Sequence, residues 1–542
     1  MRASRPLLAT LLVAATPARG EEVELDARLL LHTRLTAWAN LPRADVLFDP
    51  ATLRFVAANV GQRKSPPDIR DYLRPAGADR FASGLLAALL DGRRGPLRLQ
   101  LLADSGEVRA VERPPAVLVC ASALPGSTGL ALAPGGPCTP SGAPPRPQVF
   151  EVPAWGAGTS VAAANGRPAA DEARATWFLR EAWAGAFLGR NDFAFLRAGR
   201  HRFTVADGLV LDDYGLGLEA RLDLGAVGPP WDLGAALLWP TRDWPGAEER
   251  RSPMLVLRAD WMLSLFEHLG AFAAFYRDRT GSVADLFSGA TVETSAVRLA
   301  GLAAGTPAYQ DEAVRLAGVL SSGSGGSADL AWLGLSGRLT ADRVHRFAFA
   351  AALAAGSIRM ESPGAGEIES RVRGLALSAS WEVRLHRDLL AGARFLLLSG
   401  DVPPPERARI GLPARYGGFL GVSPWITATN LFFAGGLSET FAARQATAPG
   451  VNGRGVLGPV LRLVYEPSSA LRVEAKGAWL AAEEVGPLGG RTYGQEADLG
   501  LRWAPLPWLA LSAEADFLFP GDFFGGGPPM RKLVAGLDVA TP

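Results

Sequence analysis

Nine charged side chains could act together: Arg200, Arg202, Arg221 and Arg258, interleaved with Asp212, Asp213, Glu219, Asp223 and Asp260. A guanidinium presents a planar fork of donors that grips a carboxylate through two hydrogen bonds. Arginines along a wet wall lower the barrier for anions, while acids between them keep each binding step weak enough to permit release. The same nine residues also read as a salt-bridged wall with no part in selection. Composition alone supplies arginine here, because nearly all of the 55 basic residues are Arg.

The stretch Phe193–Gly225 has to position most of these groups. Its second half alternates with period two, Leu218, Ala220, Leu222 and Leu224 against Glu219, Arg221 and Asp223, as a strand does between lipid and water. In its first half Ala194, Leu196 and Ala198 lead into Arg200 and Arg202 on one face, with Phe193, Phe195 and Phe203 opposite. By that alternation His201 is expected on the face away from the arginines. Arg258 and Asp260 share a face of a later segment, Met254 to Phe266.

Other chemistry is missing from the sequence. There is no GxSxG elbow, HExxH helix or Walker A loop, and His32, His201, His268, His345 and His386 have no ligand spacing. GxGxxA occurs at Gly215 and Gly323, in neither case between a buried strand and a helix. The pairs Asp212/Asp213 and Glu483/Glu484 could serve as acid and base, but they read as solvated loop carboxylates. Neither an enzyme nor a bound cofactor or metal is expected. A net charge of +1 gives no basic excess for nucleic acid.

Of 542 residues, 48% are hydrophobic, only 20% are charged and 63 are glycine. That is apolar for a soluble chain, yet after the N-terminus no apolar run reaches the ~18 residues of a membrane helix. A closed barrel remains, in which every backbone group pairs with a neighbouring strand. The fold class expected is all-β, a transmembrane antiparallel β-barrel of about 18 strands, with about 16 as the alternative.

MRASRPLLATLLVAATPARG reads as a secretory signal peptide, residues 1–20, with no cysteine in the cleavage region to take a lipid. Residues 21–172 read as a first strand, Glu21 to Trp38, followed by a loop-rich extension. Within it Phe81 to Leu90 is expected as a short helix, and Pro96 to Val111 as a hairpin turning at Asp104 to Gly106. Cys120 and Cys138 flank a Gly/Pro-rich stretch, and in an exported chain they are expected to form a disulfide. Residues 173–542 carry the main part of the barrel. Strands are expected there at even intervals, Ala414 to Val422 and Trp425 to Phe441 among them, with one insertion, Thr280 to Ser327, as plug or lid. Trp177, Trp183, Trp239, Trp244, Trp425, Trp503 and Trp508, with Phe517, Phe519, Phe523 and Phe524, read as interfacial girdles.

AGRHRFTVADGLVLDD, Ala198–Asp213, resembles the GRQ-type strand and acidic loop of the alginate-export family of outer-membrane barrels. His201 stands where that family has Gln. YGGFLGVSPWITATNLFFAGGL, YEPSSALRVEAKGAWLAA and YGQEADLGLRWAPLPWLALSAEADFLFPGDFF resemble the family's closing strands. The likeness runs from Ala173 onward. The chain departs from common barrels in ending LDVATP rather than on an aromatic residue. The resemblance implies export of an anionic polysaccharide through an arginine-lined lumen, served by a periplasmic apparatus. Two further readings stand beside it: a general or solute-specific uptake porin, and a non-conducting barrel anchoring envelope machinery.

Overall fold

A computed structural model of the chain describes residues 23–39, 79–105, 117–123, 130–133, 148–150, 177–189, 193–226, 228–240, 252–279, 283, 287, 306–308, 326–342, 344–362, 366–409, 411–422, 424, 426–433, 446–486, 489–524 and 526–541. Eighteen long strands form its wall. They are β1 (Val23–Ala39), β2 (Asp79–Arg94), β3 (Leu97–Ser105), β4 (Trp177–Leu188), β5 (Ala194–Val205) and β6 (Leu211–Asp223). Next come β7 (Trp231–Pro240), β8 (Met254–Met262), β9 (His268–Asp278), β10 (Gly326–Ala341), β11 (His345–Ser362) and β12 (Gly366–His386). The circuit ends with β13 (Leu389–Leu398), β14 (Val456–Ser468), β15 (Leu471–Ala481), β16 (Thr492–Leu506), β17 (Leu509–Pro520) and β18 (Met530–Ala540).

Each strand pairs antiparallel with its neighbours in sequence, and β1 pairs with β18 from Leu30↔Ala540 to Ala39↔Arg531. The sheet therefore closes and leaves no edge, which is the arrangement that satisfies every ladder hydrogen bond. The register fixes which residues face inward. Leu218, Leu237, Leu257, Leu333, Leu353, Leu461, Leu499 and Leu511 are exposed on the outside. Their neighbours along each strand, such as Glu219, Ala236, Val256, Ala352, Val460, Asp498 and Ser512, point into the lumen. The start of β1, Val23, and the end of β18, Ala540, lie at the end of the barrel where the turns are short. The β10–β11 turn there is closed by the Asp342 carboxylate, which accepts from the backbone of Val344 and His345.

The strand number matches expectation through two offsetting differences. Phe81 to Leu90 is part of β2 and not a helix, and the following hairpin turns at Gly95, not at Asp104 to Gly106. The stretch read as an extension thus supplies two barrel strands. Conversely, the segments read as strands at Ala414 to Val422 and Trp425 to Phe441 are not in the wall. Between β13 and β14 the described residues fold inward; they carry a short helix, Pro404–Arg409, the strand Arg415–Tyr416, which pairs parallel with β12 at Arg371 and Val372, and the strand pair Gly421–Val422 and Ala446–Thr447. The insertion expected to be plug or lid, Thr280 to Ser327, is largely outside the described residues, though Phe287 packs edge-on against Tyr416 of the inward segment at 4.8 Å. The Cys120–Cys138 pairing also lies outside them. The backbone of Cys120 belongs to a small separate sheet of Val117–Ala123 with Leu130–Ala133 and Gln148–Phe150.

The girdle is partly as expected. Trp503, Trp508, Phe517 and Phe519 are exposed on the outer face, with Trp231 stacked on Trp261. Phe523 and Phe524 are instead buried against Tyr493, and Trp183 points inward.

Candidate functional site

Glu219 of β6 is the centre of the inner wall on the β5–β8 side. Its carboxylate accepts from Arg197 Nε at 2.8 Å and Nη2 at 2.5 Å, lies 3.4 Å from His201 Nε2 and lies 4.0 Å from Arg258 Nη2. Arg258 is also 4.0 Å from Asp260. Its side chain crosses the bare backbone of Gly234, its register partner on β7, where a Cβ would sit 2.5 Å from Arg258 Nε. Arg221 pairs with Asp232 at 2.7 Å. Toward β3 and β4, Arg98 pairs with Asp91 at 2.7 Å, and the guanidiniums of Arg98 and Arg197 both rest on the Trp183 ring at 5.6 Å. The indole donates to Glu181.

Of the nine residues singled out in the sequence, Glu219, Arg221, Arg258 and Asp260 come together on this face. Arg200 and Arg202 do not join it. They lie on the same face as Leu196 and Ala198, which the register sets against the outer-face residues Ala220 and Leu218. Arg202 instead grips Asp212 with two bonds of 2.6 Å near the loop end of β5, and Arg200 is buried. Asp223 closes the β6–β7 turn by accepting from Gly225 N. The side chain of Asp213 lies outside the described residues. The face assignment of β5 is therefore reversed from expectation: Arg197 and His201 meet Glu219, and His201 is fully buried. The alternation of β5 alone leaves open which face is inner, because both faces carry apolar side chains. Its pairing with β6 decides.

A second polar cluster, not foreseen, lies on the opposite wall and holds the inward segment. Glu496 of β16 accepts from Thr429 Oγ1 at 2.7 Å and from the backbone of Leu431 and Phe432 at 2.5 and 3.0 Å. Asn430 donates its backbone N–H to Asp498 and its side-chain amide to Asp516, each at 3.0 Å. Its two oxygens accept from Lys476 and Lys532 at 2.8 and 3.2 Å. Across the lumen, Trp332 of β10 donates to Leu420 O at 2.8 Å, and Val422 N donates to Val210 O at 2.7 Å. Phe419, Leu420, Leu431, Phe432 and Phe433 are fully buried in this crossing. The protein thus spans its own lumen from β10 to β16.

No family profile matches the chain, and no curated protein matches it. Solved structures share its course at low identity. Pseudomonas aeruginosa OccK11 (OpdR) is 13% identical with a TM-score of 0.42, covering 96% of each chain. Acinetobacter baumannii OccAB3 is 10% identical with a TM-score of 0.45, covering 96% of this chain and 99% of that one. A BenF-like porin from Pseudomonas fluorescens Pf-5 is 10% identical with a TM-score of 0.43, over the same shares. At these values what the lumen carries has to be argued from its own groups. Among the described residues no group of three or more His, Cys, Asp or Glu is placed to hold a metal ion. The inner wall is charged, and a protein segment bonded to both sides crosses the lumen it encloses.

Proposed function

We propose that the chain is an outer-membrane channel for the passive uptake of small polar solutes. The apolar outer face and polar inner face are what a bilayer-spanning barrel requires. The observation that carries the choice of cargo is the inward segment. It is bonded to both walls and fully buries five large apolar side chains, so protein obstructs the lumen where it crosses. A polymer needs an unobstructed path along its whole length, whereas small solutes pass beside a fixed constriction. Export of an acidic polysaccharide, which the alginate-export resemblance implies, would need this segment to withdraw.

Single-channel recording of the purified protein in planar bilayers tests the reading. Small, steady conductance is expected, rising when residues 423–433 are deleted. Zero current from both proteins would sink the channel reading and leave a structural anchor. A gene deletion that abolishes surface polysaccharide would favour export, and unchanged surface polysaccharide with slowed solute entry is expected.

A further inference from the structure

The outer surface of β9–β12 changes from apolar to charged within a few residues along each strand. Leu333, Leu353 and Leu375, register partners on β10, β11 and β12, are exposed at one level. Four residues nearer the end of the barrel with the long connections, the same register runs Arg277, Asp329, Ser357, Arg371. The strand Arg415–Tyr416, laid parallel beside β12 past the end of β13, extends this row by setting Arg415 against Arg371. Tyr416 and its partner Val372 are buried inside the wall, so alternation turns Arg415 and Arg371 outward. Arg373, two residues along β12, shares that face, and all three arginines are exposed. At the usual rise along a strand and spacing between strands, their Cα atoms lie within about 8 Å of one another.

Acids balance the other arginines of this surface. Arg277 pairs with Asp329 at 2.7 Å, and Arg359 with Glu369 at 3.8 Å. Glu367 stands farther out on β12. Arg371, Arg373 and Arg415 have no ion pair among the described residues. Like charges on directly opposed strand positions repel, and Arg371 and Arg415 are so opposed. An anion among them removes that cost, and a phosphate offers several acceptor oxygens to several planar guanidinium forks at once. Their height on the wall selects which phosphate. Below Arg373 the outer face of β12 is apolar from Leu375 to Leu385, about 25 Å once strand tilt is allowed for, which is the height of the lipid-facing band of a barrel. The three arginines thus stand at headgroup level, on the side of the long connections, which in outer-membrane barrels is the external side.

We infer that Arg371, Arg373 and Arg415 form a binding site for the phosphate groups of an outer-leaflet lipid. The site stands on the barrel and its register, whatever solute the lumen carries. Because Arg415 belongs to the inward segment and Arg371 and Arg373 to β12, a lipid phosphate shared by them ties that segment to the wall from outside.

Native mass spectrometry of the full-length protein in a non-ionic detergent tests it, with diphosphoryl lipid A as the phosphate-bearing probe. The parent should hold this lipid several-fold more tightly than phosphatidylcholine. Arg415→Gln and the double variant Arg371→Gln/Arg373→Gln should each weaken the binding several-fold. Arg277→Gln removes a nearby outer-face arginine that already has an acid partner, and it should bind like the parent. Inorganic phosphate at matched phosphate concentration should leave the lipid bound. Barrel formation in each variant is verified by heat-modifiable gel migration, and the two single variants replace the double one if it fails to close. Undiminished binding in the Arg371, Arg373 and Arg415 variants overturns the site. Equal weakening by Arg277→Gln overturns it as well, since the affinity would then belong to surface charge in general. Displacement by inorganic phosphate overturns the assignment to a lipid.

Discussion

Glu219 shows what one residue contributes to this wall. It is the shared acceptor of Arg197 and the near neighbour of His201 and Arg258, so it holds three basic side chains in one patch. Hydrogen bonds to charged groups are worth about 1.5–3 kcal/mol, and a partner left without its acceptor costs a similar amount. Glu219→Gln should lower stability by about 1–3 kcal/mol, read from the denaturation midpoint, and should raise anion over cation permeability because Arg197 and Arg258 lose their counter-charge. Gly199, two residues from Arg197, has φ of 130°, and a Cβ there would sit 2.3 Å from Ala182 O. Gly199→Ala should therefore destabilise by about 1–3 kcal/mol, with a lower unfolding midpoint and little change in permeability ratio. The sequence shows that Glu219, Arg221 and Asp223 share a charged face, because β6 alternates cleanly. It hides Arg197 and His201, because Phe195 and Phe203 on their face look as lipid-compatible as Leu196 and Ala198 on the other.

At the scale of elements, the inward segment and its anchor are the part least visible in the sequence. Period two marks a strand with one wet and one dry face, so strands such as β10, β15 and β16 can be read directly. YGGFLGV and NLFF imitate strands for a different reason: their apolar side chains are buried inside the lumen, and a short apolar run looks the same in either setting. The anchor is spread over β15, β16, β17 and β18, at Lys476, Glu496, Asp498, Asp516 and Lys532, and no local spacing gathers residues from four strands. Glu496→Gln replaces a carboxylate that accepts three hydrogen bonds with an amide whose single oxygen must serve all three. The tip Thr429–Phe432 should then be held less tightly, by about 1–3 kcal/mol. The expected readout is noisier and larger single-channel current, with faster proteolysis inside residues 423–433. Unchanged current and proteolysis would show that burial of Leu431, Phe432 and Phe433 holds the segment without the anchor.

At the scale of the whole molecule, closure is the property on which everything else depends, and it was legible from composition before any single strand was. A chain too apolar for water and too interrupted for helical spans has one arrangement that pairs every backbone group. The strand total survives local misreading because the wall must still return to β1. Two segments moved from wall to lumen, and two moved from extension to wall. This closing requirement makes β18 indispensable, although none of its residues touches the Glu219 patch. It pairs with β17 from Leu509↔Val539 to Leu518↔Met530 and with β1 from Leu30↔Ala540 to Ala39↔Arg531. Removing residues 530–542 would leave two long strands with unpaired N–H and C=O groups. In lipid each unpaired group costs several kcal/mol, and in water such edges template aggregation. The truncated chain should fail to show the heat-modifiable migration of a closed barrel and should collect in aggregates, whereas deletion of residues 423–433, which cuts only the crossing, should keep the heat-modifiable form. If both deletions behaved alike, the crossing would be part of what closes the wall, and the division into a continuous barrel and an inserted constriction would have to be abandoned.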